Sequence, residues 1–323
     1  MSGRYLGVDL GSTTAKAVVT DAGGVILAAS TVQMGAVSQR GMQRAVDAAL
    51  AEAGMTADDL DGTVATGYGR RLVPGTARTY TEITCHARGT AAMCPGVRLV
   101  IDIGGQDSKA ITVDPDGLVE DFAMNDRCAS GTGRFYEVLA RALECDLGEL
   151  ADLASRGGRD LEVSSMCATF AETEIVSLLA QGLPPADIAS SVHRAIAART
   201  LALVAQVGKR TPVVLTGGVA RNRAAVRFLA EALGTDVQVP ARPQITGAYG
   251  AALLAMESAG RAPAGPAPGS GDADTSVPMF PGSAGSAGSA GSDRSCAGCD
   301  GDLASAGAAT KVKLGPTIRI GPS

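Results

Sequence analysis

No tryptophan occurs in this 323-residue chain, and aromatic residues make up only 3% of it. Its interior must therefore be packed from Ala, Val, Leu and Ile, at a length that suits about two domains. An excess of basic charge is missing as well. The net charge is -5, and without a basic stripe the electrostatic footprint of a nucleic-acid binder is lacking. Long hydrophobic runs are absent: the longest uncharged apolar stretch, 245–256, has 12 residues, too few for a helix across a bilayer. The N-terminus enters a strand-like run directly, without the charged and apolar regions of a signal peptide. These absences lead us to expect a cytoplasmic chain that takes neither nucleic acid nor membrane as a partner. A Walker A loop is not found either. The seven cysteines are an odd number, which argues against a complete disulfide framework and favours reduced, catalytic or metal-bound thiols.

What is present centres on residues 124–135. There Cys128, Ser130, Gly131, Thr132 and Gly133 directly precede an apolar-periodic run of Phe135, Val138, Leu139, Ala142 and Leu143, the spacing of a buried helix. The design repeats 39 residues later: Cys167 stands before a run whose apolar face continues through Ile175, Leu178 and Leu179. Thiolates at positive helix ends are suited to hold iron–sulfur clusters or zinc. The competing reading is two buried small hydrophobes, the usual state of free cysteines.

Two further stretches copy one another. Residues 5–9 read as a strand ending in Asp9, followed by Gly11, Ser12, Thr13, Thr14 and Lys16 and a second strand, 17–21. Residues 99–103 read as a strand containing Asp102, followed by Gly104, Gly105, Gln106, Asp107 and Lys109, with a strand resuming at 110–113. The two copies lie 93 residues apart, as an internal duplication would place them. A Gly/Ser/Thr turn between strands offers backbone N–H groups and hydroxyls to a phosphate, with the aspartate placed for a magnesium-bound water. One such hairpin is unspecific; two facing each other make a nucleotide site. A third glycine signal, 216–222, contains Gly217, Gly218, Ala220 and Asn222 at a strand-to-helix junction, where backbone can approach an adenine or ribose. Amphipathic helices are expected at 39–53, from Glu82 on, and at 186–207, 223–233 and 247–258. Cys85 and His86 stand side by side on the second of these, pointing in different directions, so packing or partner contact is expected of them rather than metal. His193 is expected to be structural. From Ala259 on, Ala, Gly, Ser and Pro dominate, the composition of a flexible tail; Cys296 and Cys299 within it have no second pair.

Together the hairpins resemble the phosphate-1 and phosphate-2 motifs, and 216–220 the adenosine motif, of the acetate-and-sugar-kinase/chaperone/actin superfamily. Residues 65–70, 100–108, 124–135 and 164–174 are more specific. They resemble the activators of 2-hydroxyacyl-CoA dehydratases, ATP-dependent reductases also called archerases and akin to the ATPase subunits of benzoyl-CoA reductases. The similarity spans about 3–258. It implies an α/β fold of duplicated ribonuclease-H-like, actin-like ATPase domains with a nucleotide cleft between them: a first half at 1–95 closed by the final helix 244–258, a second half at 96–243 carrying the cysteines, and the tail 259–323. It also implies one [4Fe–4S] cluster per homodimer, with Cys128 and Cys167 of each subunit as its four thiolates. ATP/ADP and Mg2+ would bind through Gly11, Ser12, Thr13, Thr14, Lys16, Gly104, Gly105, Gln106, Asp107, Gly217, Gly218, Ala220 and Asn222. Asp9, Asp102 and Gln106 would be catalytic, and Gly131, Thr132 and Gly133 would sense nucleotide and cluster together.

The implied activity is one-electron donation to a dehydratase, with a ferredoxin or flavodoxin as donor. A push of about 300 mV requires roughly 7 kcal/mol for one electron, within reach of nucleotide-driven closure. An aromatic acyl-CoA reductase or a double-cubane cluster protein would be an alternative iron–sulfur partner. A cluster-free small-molecule kinase would explain the hairpins but not the cysteine–helix units. A redox or nucleotide sensor is the remaining alternative.

Overall fold

A computed structural model of the chain describes residues 3–76, 78–126, 131–163 and 168–259, without the side chains of 168–170. These residues belong to the unit Met1–Pro266; the second unit, Ala267–Ser323, lies outside them. Cys128, Cys167, Cys296 and Cys299 therefore also lie outside the described residues, as does the expected tail beyond Ala259.

The chain begins with β1 (Arg4–Leu10), β2 (Thr14–Asp21) and β3 (Ile26–Gln33), then α1 (Gln39–Ala53), β4 (Gly62–Thr66), β5 (Arg78–Thr79) and α2 (Glu82–Met93). A second round follows: β6 (Leu99–Ile103), β7 (Ser108–Val113), β8 (Val119–Asn125), α3 (Gly133–Ala142), α4 (Leu147–Arg156), α5 (Ala168–Ala180), α6 (Pro185–Val207), β9 (Val213–Thr216), α7 (Arg223–Leu233), β10 (Val237–Gln238) and α8 (Thr246–Ala259). The strands form two five-stranded sheets, ordered β3-β2-β1-β4-β5 and β8-β7-β6-β9-β10. Both run antiparallel across the first three strands and parallel across the last three. This is the duplicated α/β architecture that the resemblance implies.

The duplication holds down to single hydrogen bonds, always at the 93-residue offset. Asp9 pairs with Lys16 across the first hairpin and Asp102 with Lys109 across the second. Gly11 N–H donates to Thr14 O, and Gly104 N–H to Asp107 O. The register slips at Val19/Thr20 in one sheet and at Thr112/Val113 in the other. Asp21 Oδ1 accepts from the amides of Gly23 and Val25, and Asp114 Oδ1 from those of Asp116 and Leu118. Both turns end on a glycine with positive φ, Gly24 at 78° and Gly117 at 80°, where a side chain would be strained.

β8 and α4, like the short β5, lie outside the sequence-based expectations. β8 reads Val-Glu-Asp-Phe-Ala-Met-Asn, and its acidic residues depress strand propensity; it forms because β7 offers it an open edge. α4 begins with a complete capping box, Asp146 accepting from Gly148 N and Glu149 N while Glu149 accepts from Asp146 N. That pattern is visible in the sequence as Asp-x-x-Glu.

The two sheets are joined through crossed helices. α8 lies on β1, β2 and β4, and also packs against α2, which reaches β6, β7 and β8. The crossing is close because both helices present glycine at it. A Cβ on Gly89 would run into the Thr246 carbonyl oxygen, and one on Gly250 into that of Cys85. Gly7 likewise lets α8 approach β1 at the Ala248 carbonyl. Gly89→Ala and Gly250→Ala should each destabilise the fold by about 1–3 kcal/mol through forced overpacking. The check is urea unfolding: the midpoint falls while the slope with denaturant stays constant.

Candidate active site

The two hairpin tips and the turn after β9 open onto one cleft of about 680 Å3, within the usual range of small-molecule sites. The first hairpin contributes Asp9, Gly11, Ser12, Thr13, Thr14 and Lys16. The second contributes Asp102, Gly104, Gly105, Asp107 and Lys109. Gly217, Gly218 and Asn222 reach the cleft from the β9 turn, and Gly133 from the start of α3. Of the expected residues, Gln106, Gly131, Thr132 and Ala220 are not among those lining it. Gln106 is exposed, Thr132 and Ala220 are buried, and Gly131 lines smaller cavities beside Arg199.

The tips approach each other closely, since a Cβ on Gly105 would collide with the Thr13 side chain. The second tip is also tied to α3. Gly133 N–H donates to Gly104 O at 2.8 Å, Arg134 N–H to Gly105 O at 2.9 Å, and the Thr132 hydroxyl to Gly105 O at 3.0 Å. Thr132 is the N-cap of α3, yet its side chain makes no bond to that helix's own first turn.

The charges at the floor of the cleft are almost dry. Lys109 is 1% exposed and holds Asp107 Oδ2 at 2.5 Å, with Asp102 Oδ2 and Glu82 Oε2 both at 3.4 Å. Burial works against its charge, but the three carboxylates outweigh it and keep the ammonium protonated far above the usual lysine range. Asp102 is 2% exposed. Burial pushes its carboxyl up, yet His86, Lys109 and the Thr216 hydroxyl prevail and hold it down to about 2. Asp9 has its own cation, Lys16 Nζ at 3.0 Å. Glu82 is different: its removal from water raises it despite Lys109.

Among the described residues, no group of three or more His, Cys, Asp or Glu side chains is arranged to hold a metal ion. Asp9 and Asp102 nevertheless fit Mg2+, which characteristically binds one or two carboxylates together with substrate phosphates. At the β9 end of the cleft, Asn222 is engaged on both sides. Its Oδ1 caps α7 by accepting from Ala225 N at 3.0 Å, and its Nδ2 lies 3.1 Å from His193 Nε2. His193 Nδ1 sits 2.7 Å from Ala189 O, so the ring carries its proton there and accepts from Asn222 at Nε2. Burial pushes this imidazole down to about 4. His193 therefore serves structure.

Glu82 and His86 also line the cleft, and neither was expected there. Their four-residue spacing on α2 was the available signal, because it sets both on one helix face. Cys85, one residue away, is buried against Val64, Ala251 and Ala255. Burial pushes its thiol up to about 12, as suits a core residue.

Residues 6–255 match the model of the BadF/BadG/BcrA/BcrD ATPase family. The activator of lactoyl-CoA dehydratase from Anaerotignum propionicum is 46% identical over 254 residues, covering 79% of this chain and 98% of its own. Component A of the Acidaminococcus fermentans (R)-2-hydroxyglutaryl-CoA dehydratase superposes with a TM-score of 0.76 at 40% identity, over 80% of this chain and 100% of that one. The activator of the 2-hydroxyisocaproyl-CoA dehydratase from Clostridium difficile, solved with bound ADPNP, gives 0.75 at 38% identity, over 80% and 96%.

The raised Glu82 carboxyl makes a prediction about stability. A carboxyl whose folded pKa exceeds its unfolded value stabilises fully below the unfolded value, 4.5, and loses that contribution as pH rises through the folded one. Glu82→Gln should therefore raise stability at pH 7, and the gain should vanish below about pH 4.5. Denaturant unfolding at both pH values checks this.

Proposed function

Since the chain belongs to the BadF/BadG/BcrA/BcrD ATPase family, we propose that it is an ATP-driven one-electron donor that activates a 2-hydroxyacyl-CoA dehydratase. It would act as a homodimer holding one [4Fe–4S] cluster. The observation that carries the nucleotide half is the pair of matched hairpins opening onto one cleft. The relatives named as dehydratase activators support the electron-donor half.

The amides of the 11–14 and 104–107 turns would receive the phosphates, and Gly217 and Gly218 would let the nucleoside lie against backbone. Asp9 and Asp102 would hold Mg2+ and the attacking water, with the lysines beside them balancing charge.

The chemistry of the donors favours Cys128 and Cys167 as the cluster ligands. The described cysteines, Cys85, Cys94 and Cys145, all have thiols pushed up by burial, the opposite of a ligating thiolate. Cys296 and Cys299 lie beyond the family match. Cys167 immediately precedes the first residue of α5, Cys128 precedes α3 by five, and α3 and α5 pack together. Two subunits would supply the four thiolates such a cluster takes. Bound there, it would store one electron for the partner, a dehydratase or related iron–sulfur reductase recharged by ferredoxin or flavodoxin. The bonds from Thr132, Gly133 and Arg134 to the Gly104–Gly105 turn give the phosphate end of the cleft a direct hold on α3.

Anaerobic purification with iron and sulfide counts tests this reading. About four of each per two chains are expected, and they should be lost in Cys128→Ala or Cys167→Ala. Absence of iron under strict exclusion of air would sink the electron-donor reading and leave a nucleotide-dependent kinase. Asp102→Asn should lower ATP turnover by about a hundredfold or more.

A further inference from the structure

The duplication that organises the chain is broken at one place in the cleft. Gly89 on α2 meets the Thr246 carbonyl, and Gly250 on α8 meets that of Cys85. This reciprocity matches Cys85 with Thr246 and Gly89 with Gly250. Continuing the match by one residue sets His86 opposite Gly247. One copy carries an imidazole where the other carries no side chain, and the missing side chain makes the room. A Cβ on Gly247 would stand 3.0 Å from His86 Nε2 and 3.1 Å from Asp9 Oδ2. His86 thus occupies the seam between the two halves, 6% exposed, with Asp9 on one side and Asp102 on the other.

Its hydrogen bonds are directional. Nδ1 lies 3.1 Å from Thr246 Oγ1 and 3.3 Å from Asp102 Oδ1. The Thr246 hydroxyl points its own hydrogen at Pro243 O, and the Asp102 carboxylate only accepts. The carboxylate therefore requires the proton on Nδ1, and the Thr246 hydroxyl can accept from it as well. Asp102 Oδ1 takes a second bond from the Thr216 hydroxyl at 2.8 Å, while Oδ2 faces Lys109. The carboxylate is fixed from three elements, α2, β9 and β7, and only the lysine contact has a counterpart at Asp9, since Thr66, which pairs with Asp9 as Thr216 does with Asp102, turns its hydroxyl to Tyr80 O instead.

We propose that His86 is a positioning residue for ATP hydrolysis, a single imidazole lodged between the two hairpin aspartates that fixes the Asp102 carboxylate through its Nδ1–H. The role rests on the chain hydrolysing ATP in this cleft. It concerns turnover rather than nucleotide affinity, because the group His86 bonds is the Asp102 carboxylate rather than the amides of the two turns.

The test compares three variants of the full chain, purified anaerobically, for ATP turnover and ADP affinity. Asparagine can present an amide N–H near the Nδ1 position, whereas glutamine reaches toward Nε2 and alanine offers no donor. His86→Ala and His86→Gln should lose about ten- to a hundredfold in turnover, the value of one hydrogen bond to a charged group. His86→Asn should recover to within about threefold of the parent, with ADP affinity held within about threefold in all three. Full turnover in His86→Ala, or better rescue by glutamine than by asparagine, overturns the proposal. So does a loss confined to ADP affinity. If the parent chain itself hydrolyses no ATP, it is the ATPase reading that fails.

A second readout does not depend on turnover. The chain holds two histidines, so selective nitrogen-15 labelling gives two imidazole patterns, and the one missing in His86→Asn, or remaining in His193→Gln, belongs to His86. A proton on Nδ1 is expected. A bare Nδ1 overturns the assignment.

Discussion

A carboxylate that is 2% exposed stays ionised only if its surroundings replace the water it has lost. For Asp102 that replacement comes from the hydroxyl of Thr216 on β9, the imidazole of His86 on α2 and the ammonium of Lys109 on β7. Each donor stands on a different element, so the charge is held only when the second sheet and α2 are in place. Lys109 is bound by the same constraint, because it stays charged in a dry site only among its three carboxylates. Fold and site are one electrostatic problem here. The cleft floor also carries more carboxylates than ammonium groups, counting Asp9, Glu82, Asp102 and Asp107 against Lys16 and Lys109, which favours a site completed by a divalent cation.

What could be read in advance follows from how local each signal is. The hairpins were legible because strand, aspartate, glycine turn and lysine are contiguous, and because the second copy repeats them at a constant offset. β8 was not, since its stability comes from the edge of β7 and its own residues argue weakly for a strand. α4 was missed although its capping box is written in the sequence. Gln106 is a different case. It belongs to the right turn by sequence, but the pleat and the turn direct Asp107 inward and leave Gln106 exposed. His86 and Glu82 lay beyond sequence reasoning of a single segment, because their partners are 16 to 160 residues away in the chain; lysine-bearing β7 and the start of α8 supply them.

The relation between the two sheets is a duplication with deliberate exceptions. Turn geometry, bulge position and Asx hydrogen bonds are kept. The helices are not kept: α1 alone lies between β3 and β4, whereas α3, α4, α5 and α6 lie between β8 and β9. Among the differences between the copies are His86 against Gly247, Asp107 against Thr14, and the helical block against α1.

The helical block has a further consequence. It follows the edge strand β8 and returns to the second sheet at β9, and its first helix is fastened to the Gly104–Gly105 turn through the backbone amides of Gly133 and Arg134. Amide fasteners are indifferent to side-chain identity, so nearly the whole block can be rewritten while its anchorage persists. Such a chain behaves as an engine with an exchangeable gearbox. The same combustion stroke can be geared to different loads by altering α3 to α6 alone.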